Sequence, residues 1–196
     1  MRRLALLACV FPLLAGCVTV NLGAPAPVPN CDPSSGRVSD SFSPAVVLMA
    51  QSIPSATLLP CINALPVGWT FSRLDANDHH AKFWLSSDRG GERVVSVAVD
   101  RVCDLGSATE TVSDQAGTRR FERLDPARPA NHGDRYYVYA GGCTTYHFDI
   151  HRTAGASALT AVLDGLGFVS RDTLRKDVHD YGDGRFELDP PASGGP

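Results

Sequence analysis

The densest run of chemically capable side chains is Tyr146-His147-Phe148-Asp149-Ile150-His151. In an extended strand successive side chains alternate between faces. His147, Asp149 and His151 then share one face, and Tyr146, Phe148 and Ile150 the other. Two imidazoles and a carboxylate are ligand types of a catalytic zinc site, and the matching reaction would be metal-dependent hydrolysis. Spacing argues against it. Residues four apart on a regular strand are separated by about 13 Å, too far for one ion held at about 2 Å from each ligand. A bulge, or a further ligand such as His79 or His80 from the Asp78-His79-His80 turn, would have to close the gap. The simpler reading is the solvated face of a half-buried strand. No metal and no other cofactor is assigned; His147, Asp149 and His151 stand as metal candidates only.

No catalytic residue is assigned either. The segment Gly155-Ala156-Ser157-Ala158-Leu159 lacks the second glycine of a nucleophile elbow, and Ser157 reads as the first turn of a helix. No S-x-x-K, no glycine-rich phosphate loop and no C-x-x-C is present, and Gly141-Gly142 runs into Cys143 as a hairpin. Arg119, Arg120 and Arg123 could receive an acidic ligand, but such a row more often marks the exposed side of an edge strand. Tyr136, Tyr137, Tyr139 and Tyr146 could line a groove. Cross-strand aromatic packing explains them with fewer assumptions.

The start of the chain carries an address. Met1-Arg2-Arg3 is followed by about a dozen apolar residues and by Leu14-Ala15-Gly16-Cys17. The apolar run is too short to span a bilayer, which takes about 20 residues. Leu14-Ala15-Gly16-Cys17 resembles the lipobox of bacterial lipoproteins. That resemblance implies cleavage before Cys17, acylation of its thiol, and anchoring of the mature chain to the outer side of a membrane. This is the cell membrane, or the outer membrane where the cell has two. Two acyl chains at about 0.8 kcal/mol per buried methylene give a stable anchor. The folded part is similar in type to secreted and lipoprotein domains of no assigned function, and no site residue carries over from them.

Six cysteines reduce to four once Cys9 leaves with the signal and Cys17 is acylated. An even number in an oxidising compartment implies two disulfides among Cys31, Cys61, Cys103 and Cys143. Three connectivities are possible. Cys103–Cys143 and Cys31–Cys61 are favoured, because each pair joins segments within one half of the domain. Without Arg2 and Arg3, 16 basic stand against 21 acidic side chains, a net charge of −5. Such a surface is a poor match for nucleic acid or for anionic lipid headgroups. The expected partners are the membrane, through the anchor, and an unidentified envelope component or small ligand.

The elements that must position these residues follow from the hydrophobic pattern. Residues 1–16 form the signal, 17–43 a lipidated Pro/Ala/Ser-rich spacer, 44–189 the globular domain, and 190–196 a tail without apolar content. Ser43 and Pro44 open a helix through Ala50, and the proline-punctuated stretch from Ile53 to Trp69 is expected to be irregular. Period-two alternation predicts strands near 69–74, 81–86, 92–101, 109–113, 118–124, 135–140 and 144–150, with hairpins at 88–91 and 141–142. Helical spacing predicts Ala154–Leu166 and Ser170–Tyr181, the latter capped by Ser170. The predicted fold class is α+β: a single antiparallel sheet with helices packed on one face, stapled by disulfides.

Overall fold

Alternation in the sequence becomes burial in the fold. A computed structural model describes residues 27–32, 42–128, 131–150 and 155–189. Along β3 (His80–Ser87), Ala81, Phe83 and Leu85 are buried while Lys82 and Trp84 are only partly so. Val95, Val97 and Val99 of β4 (Gly91–Asp100) repeat the pattern, as do Tyr146 and Phe148 of β8 (Gly142–Asp149). These strands join β2 (Trp69–Asn77), β5 (Thr109–Thr111), β6 (Arg119–Leu124) and β7 (His132–Tyr139) in a seven-stranded sheet. Its order is β2-β3-β4-β8-β7-β6-β5, and every neighbouring pair is antiparallel.

The predicted single sheet needs correction. A second, two-stranded sheet pairs β1 (Leu58–Ile62) with β9 (Leu166–Ser170). Sequence reasoning left the first segment irregular because of its prolines and assigned the start of the second to a helix. Pro60 is tolerated because a two-stranded ribbon is all edge, so the missing N–H breaks no central ladder. Helix α2 (Gly155–Asp164) stops at Gly165, whose carbonyl accepts from the N–H groups of Asn63 and Ala64. A Cβ at Gly165 would lie 2.1 Å from the Ala64 carbonyl oxygen, so only glycine allows β1 and β9 to meet there.

This ribbon, α1 (Pro44–Ser52), α2 and α3 (Arg171–Tyr181) form one layer over the sheet. Phe168 of β9 contacts Tyr137, Tyr139 and Tyr146 with ring centroids 5.4–6.4 Å apart. Three of the four tyrosines are therefore core packing. Among the described residues no helix is long and apolar enough to cross a membrane.

Ser170 caps α3 as expected, its side chain accepting from the Thr173 N–H. Ser43 occupies the N-cap position of α1 but makes no cap bond; its hydroxyl donates instead to the Val28 carbonyl at 2.8 Å. The other end of α1 depends on a residue that no pattern in the sequence marks. Pro54 has no N–H to offer the Ala50 carbonyl, which would otherwise close the next helical hydrogen bond. The buried guanidinium of Arg171 donates to that carbonyl and to those of Ile53 (2.9 Å), Ala56 (2.9 Å) and Asp189 (3.2 Å). A cation at the C-terminal end of α1 also meets the negative end of its dipole.

Both disulfides join the favoured partners. Cys31 pairs with Cys61, with Cα atoms 4.9 Å apart, and Cys103 with Cys143 at 5.7 Å. The first draws residues 27–32 onto β1, where Asn30 bridges Ile62. The second holds the segment after β4 against the sheet face opposite the helices, in a small cluster of Phe121, Tyr136, Leu105 and Ala108.

Candidate functional site on the open sheet face

Strand β7 begins His132-Gly133-Asp134 and β8 ends His147-Phe148-Asp149. The antiparallel register sets His132 opposite Asp149 and Asp134 opposite His147. All four side chains stand on the face away from the helices, because Tyr137, Tyr146 and Phe148 take the other. His147 Nδ1 lies 2.8 Å from Asp134 Oδ1. His132 Nδ1 is 3.3 Å from Asp149 Oδ1, but the approach is not aligned as a hydrogen bond, and this buried nitrogen has no hydrogen-bond partner among the described residues. The two imidazoles meet edge to face with centroids 5.8 Å apart.

Two arginines complete the cluster. Arg123 donates to Asp134 Oδ2 at 2.8 and 3.2 Å, and Arg128 to Asp149 Oδ1 at 3.1 Å. Burial works to raise the Asp134 pKa, but hydrogen bonds from Arg123 and His147, helped by their charges, outweigh it and hold the carboxyl below its usual value. Both carboxylates are thus engaged by cationic or imidazole donors, which leaves them poorly placed to ligate a metal. Among the described residues no group of three or more His, Cys, Asp or Glu side chains could hold one. Of the three metal candidates, His147 and Asp149 sit in this cluster; His151 lies outside the described residues.

Neither histidine of the 79–80 turn reaches the site. The His79 N–H donates to the Ser52 carbonyl at 3.0 Å, and His80 pairs with Asp100 at 3.1 Å. His80 lies two strands from β8, and four residues, about 13 Å, along β3 from the position in line with His147.

Extending the register gives a longer feature. Arg73, Trp84, Ser96, His147, Asp134 and Arg123 stand directly opposite one another on β2, β3, β4, β8, β7 and β6. Five inter-strand steps of about 4.8 Å make this a row of roughly 24 Å. The guanidinium of Arg73 and the ammonium of Lys82 both approach the Trp84 ring, at 5.0 and 5.2 Å from its centroid. The disulfide-held segment flanks the other half: Cys103 Sγ is 3.2 Å from Thr145 Oγ1, and Arg123 lies over the Tyr136 ring at 5.5 Å.

Ser96, His147 and Asp134 follow one another in the order of a hydrolytic triad. Its geometry is not that of a working nucleophile: no hydrogen bond joins Ser96 to His147, and Ser96 is 4% exposed. The arginine trio divides between faces. Arg119 and Arg123 point to the open face and pair with Glu110 and Asp134; Arg120 points to the other and pairs with Asp114 and Glu122. The strand that carries them is not an edge, since β5 lies outside it.

Sequence reading finds nothing specific in His132, beside Gly133, and misses Asp134. The signal was there: two H-x-D triplets lie at matching distances from the Ala140-Gly141 turn. Gly141 marks that turn strictly, with φ +72° and a Cβ position 1.9 Å from the Ser55 carbonyl oxygen.

In comparison with known proteins, no family model matches this chain, and no curated protein and no solved structure matches it.

Proposed function

We propose that this chain is a lipid-anchored extracytoplasmic binding protein, held by an acylated Cys17, whose open sheet face recognises an extended polar polymer of the cell envelope. The observation that carries the recognition half is the row from Arg73 to Arg123. It presents an indole, an imidazole–carboxylate pair and terminal cations in line across six strands. An aromatic body offers an apolar plane to a sugar ring or an aliphatic side chain, and flanking polar tips accept and donate hydrogen bonds. The anchoring half is supported by the lipobox resemblance. The two disulfides are compatible with an oxidising compartment.

Each half has its own test. Cys17→Ser is expected to abolish incorporation of labelled palmitate and release the protein from membranes; unchanged membrane partitioning would overturn the anchor. Purified peptidoglycan sacculi are the probe for the face. The acyl-free domain is expected to cosediment with them, and Trp84→Ala with Arg123→Ala to lose cosedimentation without loss of fold. No cosedimentation by the parent domain, or equal cosedimentation by both, would overturn wall recognition by this row.

A further inference from the structure

We propose that the folded domain rests directly on the bilayer that holds its anchor, through an apolar patch at the root of the tether. This inference depends on the acylation of Cys17.

The patch is a chain of contacts. Val28 is 37% exposed, and its carbonyl accepts from Ser43. Phe42, the neighbour of Ser43, packs edge to face on Tyr181 with centroids 5.3 Å apart. Phe186 lies beside Gly182, the residue after Tyr181, so close that a Cβ there would come within 2.6 Å of its ring. Tyr181 is 47% and Phe186 57% exposed. On α1, which begins two residues after Phe42, Pro44 and Leu48 stand four residues apart on one side of the helix and are both exposed. Monomeric surfaces scatter large apolar side chains singly; these are grouped.

Chain length supplies the occupant. Val28 stands eleven positions after Cys17, so the lipid lies at most about 40 Å from the patch. The reach is this short because Cys31–Cys61, the Asn30–Ile62 bridge and the hydrogen bonds between Ile62 and residues 29 and 31 fix the exit of the tether. Without them the spacer would run on to residue 42. A tether leaving at Val28, joined through Ser43 to the Phe42–Tyr181 pair, places that surface near the interface. Tyrosine suits the headgroup level, with its ring below and its hydroxyl in water, and phenylalanine adds an apolar ring to bury at the acyl boundary beneath it.

Charge does not drive the contact. Arg185 and Asp183 beside Phe186 form an ion pair at 3.9 Å, and Asp177 lies one turn before Tyr181. Association is therefore expected on zwitterionic lipid and to persist in high salt, unlike docking by a basic patch.

The test uses the full lipidated protein, reconstituted in phosphatidylcholine vesicles with and without brominated acyl chains, and carrying Phe186→Trp. The new indole is expected to shift to the blue and to lose most of its emission to the bromines, at low and high salt alike. Trp69 and Trp84, elsewhere in the fold, should keep theirs. Vesicle flotation with an unquenched residue 186 would overturn the inference while leaving the anchor intact. Failure to float would overturn the anchor and the inference with it. A concentration-dependent dimer of the acyl-free domain that Phe186→Ser disperses would show a second copy to be the occupant, also overturning the inference.

Discussion

The two faces of the seven-stranded sheet are built from the same strands by alternation, broken at register shifts between Phe71 and Arg73 and between Leu85 and Ser87, yet they differ in nearly every physical respect. One is dry: Phe83, Leu85, Val95, Val97, Tyr146 and Phe148 meet the ribbon and helices with almost no accessible surface. The other carries paired charges, half-exposed imidazoles and a tryptophan, and among the described residues a disulfide-held segment lies over part of it. Burial stabilises the first face by roughly 1.5–3 kcal/mol per large apolar side chain. Exposed ion pairs on the second contribute at most about 1 kcal/mol each. The packed face holds the fold, and the open face is the one proposed for recognition.

The largest effects should come from the packed side. Phe83→Ala is expected to cost about 3–5 kcal/mol in urea unfolding through the cavity it leaves. Arg171→Ala should cost a similar amount, because it strips four carbonyls of their donor. A change under about 1 kcal/mol for either would break the contrast.

Next comes the bond that covers part of the open face. Removing it with Cys103→Ser and Cys143→Ser should cost about 3–4 kcal/mol on the chain-entropy account for a separation of 40 residues. The cost should appear as a lower midpoint in oxidised samples and vanish when parent and variant are compared under reducing conditions.

Titration probes one group on each face, at opposite ends of the pH scale. On the packed face, burial pushes Tyr137 up to about 12 and Tyr146 well above its usual value. A tyrosine whose folded pKa exceeds its unfolded value of about 10 contributes fully below that pH and loses its contribution as pH rises through the folded value. Tyr137→Phe should therefore flatten the decline in melting temperature between pH 10 and 12. On the open face, the lowered pKa of Asp134 gives the reverse sign. Its contribution is whole above an unfolded value of about 4 and is lost as pH falls through the folded one. Asp134→Asn should remove that acid-limb dependence, with a stability cost at neutral pH of no more than about 1 kcal/mol.

The smallest expected effect is none. Zinc added to the purified domain should leave its melting temperature unchanged, because Arg123 and His147 already engage the Asp134 carboxylate and Arg128 that of Asp149. A rise that grows with zinc concentration would turn the open face into a metal site.

The seven strands of the main sheet were legible because a half-buried strand writes its geometry into alternate residues, as Ala81-Lys82-Phe83-Trp84-Leu85 does. The ribbon was not. Leu58–Ile62 is apolar without alternation and contains a proline, and Leu166–Ser170 is short and abuts a helical pattern. Neither carries a period from which a strand could be read. His147 and Asp149 were visible as a pair on one strand, whereas His132 and Asp134, seventeen and thirteen residues before the partners they face, became neighbours only through the hairpin register.

By itself the sequence determined what depends on local chemistry: period-two strands, the Ser170 cap and a capping position at Ser43; it favoured one of three cysteine pairings, which the fold then selected. Tertiary structure decided what depends on register and on which surfaces meet. It turned the Ser43 hydroxyl to Val28, gave Arg171 four distant carbonyls, split three arginines between two faces, and drew six side chains into one row. The reason is that alternation sets which face a residue takes, a property of two neighbours. The residue it meets there is set by turns and packing far along the chain.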